Sequence, residues 1–333
     1  MKLSWKLAIA AVALTAAIIP VAISEAGTTD AATTGAATVS ESTSMPAAPY
    51  LYPGWGDAPD PAEVVAATGV QAFTLAFVVA GDGCEPVWTG ETGLTGGVHD
   101  EAIQAIEAAG AEVIPSIGGW SGDKLGPACS TAQELAGAYQ KVIDATGTTT
   151  IDVDIENADE FQDHDVQDRI LEALKLVKED NPGLRTILTF STSTTGPNAD
   201  GQRLIARAAE LDADIDVFTQ MPFNFAEGTD ILTATEAATE GLKELLMSTF
   251  GWTEAEAYAH VGISAMNGLS DRGEVTTLDT FTQIREYATE HGLARLSVWS
   301  VNRDRGCTTE EATSDCSGIT QDDWAFTTEA AKF

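Results

Sequence analysis

The stretch Thr148-Thr149-Thr150-Ile151-Asp152-Val153-Asp154-Ile155-Glu156-Asn157 alternates without a break. Ile151, Val153 and Ile155 fall on one side, and Asp152, Asp154 and Glu156 on the other. A period of two is the mark of a strand, whose successive side chains point to opposite faces. Side chains at i and i+2 on one face lie roughly 7 Å apart. Three anions at that spacing repel, so at least one acid is expected to hold a proton near neutral pH. Carboxyls of unequal pKa suit general acid–base chemistry at a glycosidic bond. The stretch also admits two other accounts. One is a solvated acidic face in an acidic chain. The other is a calcium loop using Asp152, Asp154, Glu156 and Asp159. Such a loop wants glycine at its sixth position, where Asn157 stands, and the β-branched residues between the acids favour a strand.

Working outward, strands and helices alternate on both sides of this segment. Tyr50 to Trp55 reads as the first strand and Gln71 to Ala80 as the second, a near-continuous apolar run expected of a strand buried on both faces. Glu112 to Trp120 is the third, with a glycine-rich end. Later strands are expected at Thr186–Ser191, Ile215–Phe223, His260–Met266 and Arg295–Val301. Helices are expected at Pro61–Thr68, Glu101–Ala109, Thr131–Ala145, Val166–Glu179, Gly201–Leu211, Thr235–Thr249, Leu278–His291 and Asp322–Ala331. The helix after the acidic strand is stopped by Asn181-Pro182-Gly183. Strands alternating with helices in this way predict an α/β chain folded as one (β/α)8 TIM barrel. A doubly wound open sheet is the alternative, and no G-x-G-x-x-G follows the first strand to support it.

The chain has 333 residues, with 17 Lys and Arg against 51 Asp and Glu, a formal charge of −34. Nucleic acid and anionic membranes are therefore poor partners. An acidic, lysine-poor surface stays soluble through repulsion and hydration, and a salty habitat is expected from it. A steady fall in activity and stability from low to molar salt would exclude that habitat. Residues 1–26 read as a secretory signal peptide. Lys2 and Lys6 open it, Leu7 to Ile23 form its apolar run, and Ala22-Ile23-Ser24 or Ser24-Glu25-Ala26 offers a cleavage site. An uncleaved anchor is the alternative, because the run is slightly long. Losing Lys2, Lys6 and Glu25 takes the charge to about −35. Residues 27–47, rich in Thr, Ala and Ser, read as a flexible leader, and 48–333 as the barrel domain. The expected product is secreted, extracellular, free of the membrane after signal removal, and monomeric. Four cysteines fit an oxidising compartment. Cys307 and Cys316 are close enough to shut one short loop, which leaves Cys84 with Cys129. Four cysteines allow three connectivities, so this is the preferred one. No His stands near a Cys at zinc-ligand spacing.

Chemistry in such barrels gathers at the C-terminal ends of the strands. The residues placed there are Trp55, Ser116 with Gly118 and Gly119, the acids ending in Glu156, Met221 to Asn224, and Trp299. Together they resemble glycoside hydrolase family 18, the chitinases and their relatives, over about Ala48 to Ala331. The family's fourth strand carries D-x-x-D-x-D-x-E. Asp152, Asp154 and Glu156 match its last three acids, and Thr149 replaces the first. Ser116-Ile117-Gly118-Gly119 matches S-x-G-G. Met221-Pro222-Phe223-Asn224 matches M-x-Y-[DN], with Phe for Tyr. Trp299 matches the tryptophan of the eighth strand.

The resemblance implies a retaining hydrolase of β-1,4-linked N-acetylglucosamine in chitin or chito-oligosaccharides. Catalysis would be substrate-assisted, with no metal or cofactor. Glu156 would act as acid and then base, Asp154 would orient the acetamido group, and Asp152 would share a proton with Asp154. Trp299 would floor the sugar site. Trp55, Ser116, Gly118, Gly119, Trp120, Met221, Phe223 and Asn224 would line it, and Trp88 and Trp120 would either stack further sugars or be ordinary surface tryptophans. Two other functions stay open, an endo-β-N-acetylglucosaminidase acting on glycoprotein glycans and a non-catalytic sugar-binding barrel.

Overall fold

The computed structural model describes residues 44–91, 93–307 and 311–333. The expected signal peptide and most of the expected leader lie outside the described residues. Eight parallel strands follow one another around a sheet, each hydrogen-bonded to the next: β1 (Tyr50–Leu51), β2 (Ala72–Ala80), β3 (Glu112–Gly118), β4 (Thr150–Ile155), β5 (Arg185–Ser191), β6 (Val217–Met221), β7 (Val261–Met266) and β8 (Arg295–Trp299). Strand β8 returns to the first. Ala48 N–H donates to the Leu296 carbonyl at 3.1 Å, and Val301 N–H to the Tyr50 carbonyl at 2.9 Å. The expected barrel is therefore present.

Strand β4 has the alternation read from its sequence. Ile151, Val153 and Ile155 are buried in the apolar layer that includes Leu135 and Tyr139 of the helix Ala132–Thr146 and Ile170 and Leu174 of the helix His164–Asp180. Those two helices pack on the outside of the sheet because their apolar residues recur at helical spacing. Their starts are fixed by side chains: Thr131 accepts from Glu134 N–H, and Asp163 from Asp165 and Val166 N–H. The other face of β4 points into the barrel. Asp152 and Asp154 are buried there, at 0% and 2% exposure, so the acidic face is not solvated. The segment is a strand and not a calcium loop.

The barrel interior is layered. At the N-terminal ends of the strands, Met45, Ala48, Ala72, Ile114, Ile187, Val217 and Ala294 form a separate apolar plug. Above the plug comes a polar layer built around Arg295 and Asp152. Above that, Tyr50, Phe77 and Trp299 begin the mouth. A packed interior with chemistry at the C-terminal rim is what this architecture provides.

Several short elements had no distinct period in the sequence. The strand Pro86–Trp88 pairs antiparallel with β2, and Gly268–Leu269 pairs with Val275–Thr276 in a small hairpin. The helices Leu125–Ala128 and Ala158–Phe161 follow β3 and β4. Disulfides join Cys84 to Cys129 and Cys307 to Cys316, the preferred connectivity. No described helix is long and apolar enough to cross a membrane.

Candidate active site

Asp152 is the most heavily bonded of the three acids. It accepts from the Tyr50 hydroxyl at 2.8 Å, the Ser116 hydroxyl at 2.7 Å and the Thr189 hydroxyl at 2.6 Å. The Arg295 guanidinium stands 3.8 Å away, and neither side chain is exposed. Arg295 is held in turn by the hydroxyls of Thr74, Thr189 and Thr219, which accept from it at 2.9 to 3.2 Å. A buried carboxylate survives only when it is paired and hydrogen-bonded, and both conditions are met.

Asp154, two residues on, differs in kind. Its Oδ1 is buried without a hydrogen-bond partner. Burial raises its pKa well above the carboxylate range, and the charges of Glu156 and Asp152 add to that; Arg295 and Lys124 oppose it. A carboxyl that favours its protonated form and has one unpartnered oxygen can donate to or accept from a bound group. Glu156 lies just past the end of β4 and is half-buried. Its pKa is raised to about 7, first by burial, with Lys124 lowering it and Asp271 raising it. A carboxyl near neutrality can both give and take a proton, as general acid–base chemistry requires.

The glycine pair at the end of β3 lets the chain approach β4. Gly119 N–H donates to the Asp154 carbonyl at 2.9 Å. Gly118 has φ +118°, and a Cβ there would come within 2.2 Å of the same carbonyl oxygen. A Cβ on Gly119 would strike the Phe77 ring at 2.8 Å. Only glycine fits such an approach.

Aromatic rings line the mouth above the acids. Trp299 lies 5.6 Å from Phe77 at 19°, 5.4 Å from Trp55 and 5.6 Å from Tyr50. Trp120 projects from the β3 loop with 70% of its surface exposed, and its carbonyl accepts from the Asn157 amide at 2.8 Å.

Three expectations are corrected. Trp88 is fully buried, stacked on His99 at 4.7 Å, and cannot be a sugar platform. Ser116, expected to line the sugar site, is buried with its hydroxyl committed to Asp152. Trp55 does not end a strand, because β1 stops at Leu51 and Trp55 N–H closes a turn onto the Tyr52 carbonyl. Asn224 has its amide on Asp271 at 3.1 Å and accepts from Asp271 N–H at 3.1 Å, which ties the β6 loop to the hairpin. Met221 is buried at the end of β6, and Phe223 is half-buried just beyond it.

Sequence reasoning missed Tyr50, Thr189 and Arg295 around Asp152, and Lys124, Glu160 and Asp271 around Glu156. Arg295 had a signal, since it is the lone charge in a largely buried strand. Lys124 had a weaker one, as a lysine just beyond the third-strand glycines of a lysine-poor chain.

Known chitinases share this fold. A structure of catalytic-site mutants of a Pyrococcus furiosus chitinase domain with chito-oligosaccharides matches with TM-score 0.79 and 26% identity, over 87% of this chain and 96% of that one. The catalytic domain of the hyperthermophilic chitinase from the same organism matches with TM-score 0.78 and 27% identity, over 86% and 93%. The chain resembles the chitinases of glycoside hydrolase family 18. Among curated proteins, a probable bifunctional chitinase/lysozyme of Escherichia coli K12 is 26% identical over 274 residues, and endochitinase 11 of Metarhizium anisopliae 25% over 272. Each alignment takes in 77% of this chain. It spans only 30% of the first relative and 52% of the second. No family model matches the chain. The resemblance to these chitinases is one of fold and of overall sequence.

Proposed function

We propose that the barrel hydrolyses β-1,4-linked N-acetylglucosamine oligomers with retention, using the substrate's own 2-acetamido group as nucleophile. The observation that carries this is the contrast among the three acids. One is saturated with donors, one is buried with a free oxygen, and one sits near neutrality at the rim. Glu156 protonates the leaving glycosidic oxygen. The acetamido carbonyl oxygen attacks the anomeric carbon, the C–O bond to the leaving sugar breaks, and a cyclic oxazolinium ion results. Asp154 accepts the acetamido N–H, orients the group and faces the developing positive charge. Ionised Asp154 is unfavourable in the empty site, so binding a cationic intermediate is matched to it. Glu156, now a base, takes a proton from water as the water opens the oxazolinium ring. Asp152 acts through Asp154, held by Tyr50, Ser116, Thr189 and Arg295.

The Trp299 floor suits a pyranose ring, whose C–H groups stack on an apolar flat face. The protein is proposed to be secreted. Its two disulfides support an oxidising destination. Incubation with chitotetraose, with products and their anomers followed by NMR, tests the reaction. β-Anomer product from wild type and none from Glu156→Gln is expected. Asp154→Asn should slow turnover by about 10²-fold or more, since such groups contribute ~10²–10⁴. Native turnover in Asp154→Asn would overturn the substrate-assisted scheme.

A further inference from the structure

We propose that Lys124 is a positioning residue for the reaction, a fixed buried cation that keeps Glu156 able to release its proton and holds the β3 loop under Asp154. This rests on the hydrolase reading above and adds to it a residue outside the family motifs.

Lys124 precedes the short helix Leu125–Ala128 and is only 2% exposed. Its ammonium donates to the Ser121 carbonyl at 2.7 Å and the Gly118 carbonyl at 3.3 Å. The Gly118 carbonyl ends β3 and the Ser121 carbonyl lies in the loop after it, on either side of Gly119, bonded to Asp154, and Trp120, bonded to Asn157. A lysine with two carbonyl partners, buried in a site, clamps that loop at both ends. It is also an unusual use of charge in this chain. A buried ammonium costs free energy unless anions compensate it. Burial lowers the Lys124 pKa, and the neighbouring acids Glu160, Glu156, Asp154 and Asp159 pull it back up. Glu160 stands beside it at 4% exposure, with Oε2 unpartnered.

The consequence falls on Glu156. Four charged or titratable groups reach it: Lys124, Asp271 of the hairpin, Asp154 of β4 and Glu160 of the helix Ala158–Phe161. Burial and Asp271 favour its protonated form, and Lys124 favours its anion. Without that cation Glu156 holds its proton more tightly and is a weaker acid toward the leaving glycosidic oxygen. The first half of the reaction needs the acid.

Lys124→Gln removes the charge and keeps a donor for the loop carbonyls, whereas Lys124→Arg keeps the charge. Chitotetraose kcat/KM would be measured from acid to alkaline pH on all three proteins. In parallel, the Glu156 carboxyl would be titrated by NMR on selectively 13C-labelled protein. Loss of the cation should move both the basic limb and the Glu156 titration to higher pH. The ratio of rates at about pH 8.5 to about pH 6.5 should rise several-fold, and Lys124→Arg should leave both where they are. A purely structural lysine would lower the rate equally at all pH values and leave the limb fixed. An active wild type with an unmoved limb and an unmoved titration overturns the assignment. An inactive wild type whose Glu156 titration rises in Lys124→Gln instead defeats the hydrolase reading and leaves Lys124 as the tuning charge. Should Lys124→Gln lose its fold by circular dichroism, Lys124→Met keeps the apolar stem and reads the same two quantities.

Discussion

Glu160→Gln is expected to make the protein more stable at alkaline pH and to change little in mild acid. Glu160 is 4% exposed, and its pKa is raised to about 8 from an ordinary 4.5, chiefly by burial, with Lys124 pulling it down. The sign follows from proton counting. Between 4.5 and about 8 the folded chain holds a proton on Glu160 that the unfolded chain has released. Stability from this group is therefore complete below the lower value and is lost as pH rises through the upper one. A gap from 4.5 to about 8 corresponds to about 5 kcal/mol, at 1.36 kcal/mol for each pH unit. Water entry and local relaxation around a new buried anion reduce that, so about 2–4 kcal/mol is expected above pH 9.

A glutamine keeps the shape and cannot ionise. Its carbonyl oxygen can still accept from Gly126 N–H, which favours the anion of Glu160 in the native chain. Urea unfolding of wild type and Glu160→Gln at intervals from pH 5 to 9.5 gives two curves of stability against pH, and their difference is the quantity read. It should be small near pH 5, widen in favour of the variant up to about pH 8, and level off above that. The wild-type curve falls partly through Glu156 as well, raised to about 7, and that part persists in the variant. Parallel curves across the whole range would show that Glu160 ionises as readily folded as unfolded and would refute the reasoning.

Gly118→Ala should cost about 3 kcal/mol or more and abolish turnover, because its Cβ would lie 2.2 Å from the Asp154 carbonyl oxygen at φ +118°. Thermal melting and chitotetraose turnover would check it, and a native melting temperature would contradict the close approach. Phe223→Tyr should be equal to wild type in turnover or faster. The half-buried ring stands just past β6, where the family pattern has a hydroxyl donor, and a neutral hydrogen bond is worth roughly 0.5–1.5 kcal/mol net. A lower melting temperature with no gain in rate would instead place the new hydroxyl in the core.

The barrel was legible because its signals are local. Strand β4 announced itself by alternation, and β2 by an unbroken apolar run that is buried along its whole length. The helix Leu278–His291 has the bounds read from its sequence. Boundaries slipped where polar caps and strand ends leave no period. β6 runs from Val217 to Met221, and not from Ile215 to Phe223, because Phe223 N–H turns back onto the Met221 carbonyl. The helices Leu125–Ala128 and Ala158–Phe161 are one turn each, too short to show a hydrophobic face.

The site was half legible, and the missing half has one physical cause. A strand pattern says which side chains share a face, but not which distant strands bring partners to that face. Asp152 could be read as an acid pointing inward. Its environment could not, since Tyr50, Ser116, Thr189 and Arg295 come from β1, β3, β5 and β8, separated from it by 36 to 143 residues. The same gap explains why repulsion alone predicted a shared proton without locating it. Asp152 and Asp154 are equivalent in the sequence pattern. Asp152 receives three hydroxyl donors and faces a guanidinium, whereas Asp154 lacks them, and burial with the charges of Glu156 and Asp152 raises its pKa. Arg295 thus decides the asymmetry from the bottom of the barrel. Its two terminal nitrogens are held by the hydroxyls of Thr74, Thr189 and Thr219, while its Nε is buried without a partner. A plain apolar layer there would leave two like-charged acids with nothing to distinguish them, and the division of labour among Asp152, Asp154 and Glu156 would have no physical source.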